Sequence, residues 1–129
     1  MNEYYRIDEY HSVMQTSASQ YPSICQLIQY GTSVQGRPIY AMKISDNVTA
    51  NEFEPELKLV ASIHPDETVG YDLMIRLIQL LTSSYGSNTR ISDIVNNTEL
   101  WIAPLINPDG YVLGQRTNAN GIDLNRNFP

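Results

Sequence analysis

Two short apolar runs on either side of one amphipathic stretch limit the folds open to this chain more than any other feature. Residues 57–63 and 99–106 are nearly continuous apolar runs, which is typical of strands covered on both faces of a sheet. Residues 69–82 between them have the leucine spacing of a helix that buries one side. The predicted stripe consists of Leu73, Leu77, Leu80 and Leu81, widened by Met74 and Ile78. A strand, a helix and a second strand predict a parallel pair with a right-handed crossover.

The part of the chain before these runs predicts further elements of the same sheet. Residues 24–30 and 39–44 have the pattern of strands, and the turn residues of 31–36 join them closely enough for an antiparallel pair. The remaining predicted elements are a helix over 5–21, a polar loop over 46–55 and a short helix over 90–95. Buried strands that alternate with helices predict an α/β layered sheet of mixed direction.

Composition and charge exclude several classes of partner. The formal net charge of -6 disfavours nucleic acid and anionic membrane surfaces, both of which attract basic patches. No apolar run approaches the ~20 residues of a membrane span. The first residues show no signal peptide. Cys25 is the only cysteine, so no internal disulfide can form, and its apolar neighbours predict a buried strand thiol.

The first candidate for chemistry is the stretch at 64–67, His-Pro-Asp-Glu, where a predicted strand gives way to a helix. In open α/β sheets, binding sites gather where strands end and helices begin. His64 and Glu67 could converge on one cation across such a bend, and imidazole nitrogen with carboxylate oxygen suits Zn²⁺. The same residues also suit an ordinary helix start, because proline fits the first position and acids complement the helix dipole. The motif alone leaves both interpretations open.

The second candidate follows the next strand. Residues 107–110, Asn-Pro-Asp-Gly, have the composition of a tight turn. The polar stretch after it holds Arg116 and, nine residues later, Asn125 followed by Arg126. An arginine guanidinium can donate two parallel hydrogen bonds to one carboxylate, and an asparagine amide adds a further donor. This loop is therefore suited to bind an anion. A solvated polar loop is the alternative.

In combination, these motifs resemble the zinc carboxypeptidase family. The resemblance rests on His64 and Glu67 after an apolar strand, on the Asn-Pro-Asp-Gly turn after the next strand, and on the spacing from Arg116 to Asn125. It extends to residues 31–40, Gly-Thr-Ser-Val-Gln-Gly-Arg-Pro-Ile-Tyr, which look like that family's G-x-S-x-x-G-R-P-I stretch.

The resemblance spans essentially the whole chain. The stretch at 118–129 is most like the processing-type and related bacterial members. The fold implied is a three-layer α/β/α architecture with a mixed, mostly parallel sheet. Residues 1–129 would be the N-terminal part of a single catalytic domain of this kind.

The same resemblance implies a role for each motif residue. His64 and Glu67 would be two of the three protein ligands of a catalytic Zn²⁺. Arg116 would polarise the scissile carbonyl and stabilise the developing oxyanion. Asn125 and Arg126 would clamp the terminal carboxylate of the substrate, which is the C-terminus of a peptide or protein. The implied reaction is the removal of C-terminal residues by zinc-activated water.

Other residues near the motifs receive lesser roles. Asp66 matches a variable position of the family and is assigned no catalytic role. Asp123 is expected to order its loop rather than to react. Pro65 replaces the glycine or alanine of many relatives, and we expect only a small change of geometry because proline fits the first helical position. His11, in the first predicted helix, is expected at the surface.

The family's third zinc ligand, its general-base glutamate and its substrate-covering tyrosine have no counterparts among these 129 residues. We therefore expect this polypeptide alone to be inactive and to bind zinc weakly. We also expect an exposed strand edge or apolar patch, and hence self-association.

Three alternatives remain open at this point. A zinc amidohydrolase of the aspartoacylase or succinylglutamate desuccinylase type also carries a His-x-x-Glu pair, although the Asn-Pro-Asp-Gly turn and the Gly-Arg-Pro stretch favour the peptidase. A bacterial cell-wall peptide amidase is possible within the broader family. A module that binds C-terminal peptides without hydrolysing them would keep the same pocket. The family slightly favours an extracytoplasmic or secreted protein.

Overall fold

The computed structural model describes residues 5–128 of the chain. The first four residues, which bear on the signal-peptide prediction, lie outside this range, as does the last. The elements in chain order are α1 (Ile7–Gln20), β1 (Cys25–Thr32), β2 (Pro38–Ile44), β3 (Glu56–Val60), α2 (Thr68–Ser84), α3 (Thr89–Asn96), β4 (Glu99–Ala103), α4 (Pro108–Leu113) and a 3₁₀ turn (Leu124–Arg126). Each strand and helix predicted from the sequence is present, and the predicted turn at 107–110 also starts the short helix α4.

The four strands form one sheet in the order β1-β2-β4-β3. β1 and β2 pair antiparallel, as the short link between them predicts, and β2 pairs antiparallel with β4. β3 and β4 are parallel and are joined through α2 and α3, as the strand-helix-strand pattern predicts. The α/β class and the mixed sheet are therefore confirmed. The four described strands form three neighbouring pairs, of which one is parallel and two are antiparallel.

The core lies on one face of this sheet. Met42 and Ile44 of β2 and Ile102 of β4 point to that face and are fully buried against the helices. The helical side of the core includes Tyr10, Met14, Tyr71, Ile75, Ile78 and Val95. Lys43 and Trp101 alternate with these strand residues and therefore face the other way. Within residues 5–128 the helices cover one face, so two of the three predicted layers are described.

The buried side of α2 agrees only in part with the predicted stripe. Ile78 and Leu81 of the stripe are buried, but Leu73 and Leu80 are 57% and 51% exposed. Tyr71 and Ile75, which lie outside the stripe, are fully buried. The helix is apolar around most of its circumference, so leucine spacing alone did not identify the side that faces the sheet. α2 is the longest helix, at 17 residues. No helix within the described range is long and apolar enough to cross a membrane.

β3 also departs from its prediction. It is an edge strand of five residues rather than a strand covered on both faces, and Leu57 and Val60 are 47% and 52% exposed. It ends at Val60, and Ser62, between the strand and His64, adopts a left-handed conformation with φ of 53°.

The predictions for two single residues, Cys25 and His11, had different outcomes. Cys25 is buried and free, as predicted, and burial raises the pKa of its thiol to about 12. The expectation of a surface role for His11 is wrong. The His11 ring is half-buried, with its centroid 4.8 Å from that of Tyr10 and 5.0 Å from that of Tyr40.

Candidate metal and carboxylate site

The candidate site lies at the edge of the sheet where β3 and β4 both end. These strands are parallel, so the segments that follow them emerge side by side. His64 follows β3, and Asn107 follows β4. Backbone hydrogen bonds continue between the two segments, with the Asn107 N–H donating to the Ser62 carbonyl over 3.2 Å. The topology therefore brings the two sequence motifs together, as expected for an open α/β sheet.

His64 is 4% exposed and has a carboxylate at each ring nitrogen. Its Nε2 lies 2.8 Å from Asp123 Oδ1, and its Nδ1 lies 3.4 Å from Glu67 Oε1. If Nε2 carries the proton and donates it to Asp123, Nδ1 is unprotonated, and its lone pair is on the side of the ring that faces Glu67. Two ligands at ~2.0–2.2 Å from a tetrahedral zinc lie about 3.3–3.6 Å apart. The spacing of Nδ1 and Oε1 therefore fits two ligands of one such ion.

The sequence predicted only part of what Asp123 does. It does order its loop, because Oδ1 accepts the Asn125 N–H over 2.9 Å. It also binds His64, which lies 59 residues earlier in the sequence, and no local pattern could have indicated that contact. The hydrogen bond with His64, followed by those from Asn125 and Arg116, lowers the pKa of Asp123 to about 2 against the opposing effect of burial. A carboxylate held ionised against the remote nitrogen of a histidine is the usual support for a metal-binding imidazole.

Arg116 completes the cluster. Its Nε lies 3.1 Å from Asp123 Oδ2, and its NH1 lies 3.5 Å from Glu67 Oε1. The side chain is 43% exposed, so one side of the guanidinium faces solvent. The structure therefore brings His64, Glu67, Arg116 and Asp123 into one connected group.

Asn125 and Arg126 reach this group through the backbone. They lie in the 3₁₀ turn Leu124–Arg126, in which the Asn125 N–H donates to Asp123 Oδ1. Both side chains are exposed, and Arg126 NH1 donates to the Asn125 carbonyl over 3.0 Å. Within the described range Arg126 has no ion pair with a carboxylate. Asp66 is exposed beside the cluster.

A second group of acidic residues lies at the opposite end of the sheet. The carboxylates of Asp46, Glu52 and Glu54 come within 4.8 Å of one another in the loop between β2 and β3. This loop precedes β3, whereas His64 follows it, so the two groups are separated by the length of the strand. An all-carboxylate set suits hard cations rather than zinc, and exposed acidic residues often cluster without any ion.

Known proteins with similar sequences and folds indicate the family of this chain. A family model described as zinc carboxypeptidase matches residues 10–129. Carboxypeptidase D of Homo sapiens is 41% identical over 122 residues, which cover 87% of this chain and 9% of that protein. The Homo sapiens carboxypeptidase N catalytic chain is 34% identical, with 98% and 31% covered. The crystal structure of carboxypeptidase A from Helicoverpa armigera has a TM-score of 0.88 at 26% identity, with 98% and 34% covered.

The chain therefore spans about a tenth to a third of the length of these relatives. The family match covers nearly the whole chain and includes both sequence motifs. The likeness in fold covers the same range, and the two named relatives exceed 30% identity. This chain belongs to the zinc carboxypeptidase family.

Proposed function

We propose that this chain contributes part of the active site of a zinc-dependent carboxypeptidase, which removes C-terminal residues from peptides or proteins. The observation that carries the proposal is the environment of His64. One ring nitrogen is bound to the Asp123 carboxylate, and the other lies 3.4 Å from Glu67 Oε1. This arrangement fits a metal-binding imidazole better than a histidine placed for packing.

His64 and Glu67 are the residues that would hold the zinc. A bound zinc would supply a polarised carbonyl and an activated water at neutral pH. Asp123 keeps the His64 ring in the tautomer with a proton on Nε2, so that Nδ1 is available as a ligand. Burial of His64 fixes its orientation before any ion binds.

Arg116, Asn125 and Arg126 are the residues proposed to bind substrate. Arg116 is held by Asp123 and Glu67, which places its charge beside the zinc ligands, where a carbonyl oxygen would become negative. Arg126 is exposed and has no carboxylate partner within the described range, so its guanidinium is available to a terminal carboxylate. Asn125 supplies an amide donor next to it.

The chain taken alone is proposed to bind zinc weakly and to catalyse no turnover. It contains two histidines, and the His11 ring is packed between Tyr10 and Tyr40. His64 and Glu67 are then two protein ligands where a catalytic zinc takes three.

Zinc titration of the 129-residue chain tests the proposed ligands. We expect weak one-site binding that is lost in His64→Ala and in Glu67→Ala. His11→Gln is the matched control, because it changes the other histidine and should leave zinc binding intact. Equal zinc affinity in His64→Ala and in the unchanged chain would contradict the assignment of His64 as a ligand. Steady hydrolysis of a blocked dipeptide, lost in Glu67→Ala, would contradict the expected inactivity.

A non-catalytic module that binds C-terminal peptides is the second candidate. It is favoured by the exposed guanidinium of Arg126, which has no carboxylate partner within residues 5–128. A fluorescent peptide with a free C-terminus should bind, and its C-terminal amide should not. If Arg126→Gln binds the free peptide and its amide equally, that result would support Arg126 as the carboxylate-binding residue. Equal binding of both peptides would exclude a carboxylate clamp.

Self-association through β3 is proposed as a further property of this chain. β3 is an edge strand with exposed Leu57 and Val60. If two copies of β3 pair antiparallel with Leu57 opposite Leu57, each Glu56 lies opposite a Lys58 of the other copy. The strand is therefore self-complementary in charge as well as apolar at its edge.

A further inference from the structure

The turn that begins α4 touches the two segments that carry His64 and Arg116. Asn107 is 2% exposed and lies at the N-cap of α4, where its Oδ1 accepts the Gly110 N–H over 3.1 Å. Its Nδ2 donates to the Ile63 carbonyl over 3.4 Å, at the peptide immediately before His64. Its backbone N–H donates to the Ser62 carbonyl. Asn107 therefore holds two successive carbonyls of the segment that leads to His64.

Gly110 lies between the segment that bears the metal ligands and the segment that bears Arg116. A Cβ at this position would lie 2.8 Å from Pro65 Cγ and 2.5 Å from the Thr117 carbonyl oxygen. Both distances are shorter than real Cβ contacts, so the two segments can close on this turn only because residue 110 has no side chain. The Gly110 carbonyl also accepts the Gln115 N–H over 2.9 Å, next to Arg116.

Asp109 fixes this turn to the hairpin between β1 and β2. Its carboxylate is 1% exposed and accepts from Ser33 Oγ over 2.7 Å, from the Gln35 N–H over 2.9 Å and from Arg37 NH1 over 2.6 Å. Burial raises the pKa of Asp109, but these three donors outweigh burial and lower it overall. An ionised carboxylate with three donors gives the turn a rigid attachment 72 to 76 residues away in sequence.

We propose that Asn107 and Gly110 are positioning residues that set the placement of His64 relative to Arg116, with the contact between Asp109 and Arg37 as their anchor. They touch the backbone of the segments that carry His64 and Arg116, and neither residue belongs to the group formed by His64, Glu67, Arg116 and Asp123. This inference rests on the proposed function only in naming His64 as a zinc ligand.

The test uses the 129-residue chain with two readouts. The first is the tautomer of His64, read from its ¹⁵N–¹H imidazole correlations without metal. The second is zinc affinity, measured by competition with a chromophoric chelator. In Gly110→Ala we expect the preference for a proton on Nε2 to weaken. We expect zinc affinity to fall about 10- to 100-fold, which is the usual effect of disturbing the support of a metal ligand.

Gly114→Ala, at the C-cap of the same helix, is the matched control. Gly114 has φ of 64°, and a Cβ there would meet no atom within 4 Å. Alanine at this position strains the backbone without pushing on either segment. We expect Gly114→Ala to lower stability while leaving the tautomer and zinc affinity unchanged. Equal loss of both signals in Gly110→Ala and Gly114→Ala would overturn the positioning role, because general destabilisation would then account for it.

Asn107→Asp keeps the proposal testable if Gly110→Ala fails to fold. Aspartate retains the oxygen that caps α4 and lacks the donor to the Ile63 carbonyl. We expect this variant to fold and to lose the His64 tautomer preference, whereas retention of that preference would overturn the role of Asn107. If the unchanged chain shows no Nε2–H preference and no zinc binding that depends on His64, the proposed function itself fails. That outcome differs from failure of the positioning role.

Discussion

Ser62, two residues before His64, combines a left-handed backbone with a buried hydroxyl that has no hydrogen-bond partner within residues 5–128. A left-handed conformation costs about 1–2 kcal/mol for a residue with a Cβ. Glycine removes that cost, but its greater conformational freedom in the unfolded chain destabilises the fold by about 0.5–1 kcal/mol. We therefore expect Ser62→Gly to be more stable than Ser62→Ala by about 0.5–1 kcal/mol. Both variants lack the hydroxyl, so equal midpoints in urea denaturation would contradict the role of the backbone.

His11 gives the fold a dependence on pH. Burial lowers the pKa of its imidazole, and the nearby Asp8 only partly opposes this. Below the unfolded pKa of about 6.5, the unfolded chain therefore binds more protons than the folded chain. The stability linked to His11 is present above that pH and is lost as the pH falls through the lower folded pKa.

We expect His11→Phe to remove this part of the pH dependence, because phenylalanine keeps the packing on Tyr10 and Tyr40 and cannot be protonated. Denaturant midpoints for both chains between pH 5 and pH 8 provide the check. The unchanged chain should lose more stability than His11→Phe as the pH falls. Parallel curves over that range would show that the His11 pKa is not lowered by folding.

At the scale of elements, β2 and β4 are joined by a buried ion pair on the face of the sheet away from the core. Lys43 Nζ lies 2.9 Å from Glu99 Oε2, with both side chains 5% exposed, and Trp101 Nε1 donates to Glu99 Oε1 over 2.7 Å. Lys43→Met would leave Glu99 buried without its cation, which costs about 3–5 kcal/mol. Lys43→Met combined with Glu99→Gln should recover much of that loss, as measured by thermal unfolding. An additive double variant would contradict a direct pairing.

The elements themselves were largely predictable, and their exposure was not. The hairpin of β1 and β2 and the crossover through α2 follow from turn residues and from local periodicity. The buried side of α2 could not be predicted, because Leu73 and Tyr71 are both apolar and only contact with the sheet distinguishes them. The edge position of β3 depends on strand order, which local patterns do not specify. In the site, proximity of the two motifs was predictable from parallel strands, whereas the contact of Asp123 with His64 was not.

At the scale of the whole molecule, the exposed edge of β3 predicts concentration-dependent association. We expect sedimentation velocity of the 129-residue chain to show a dimer that grows with concentration. Leu57→Lys should shift it toward monomer, because a charge on an edge strand opposes strand pairing. Val34→Lys is the control, since Val34 is 55% exposed, somewhat more than Leu57, but lies in the turn between β1 and β2. A monomer at high concentration, or an equal effect of both variants, would contradict pairing through β3.

The attachment of the α4 turn to the first hairpin has a consequence for the order of folding. The contact between Arg37 and Asp109 closes a loop of 72 residues, and the Tyr111 hydroxyl donates to the Tyr5 carbonyl across 106 residues. Such distant contacts form late, since the entropy of closing the loop must be overcome first. During synthesis, the segments that bear His64 and Arg116 therefore remain separate until nearly the whole described chain has emerged. The hydrogen bond between His64 and Asp123, which joins the same distant segments, would therefore mark late closure of the described fold and not an early nucleus.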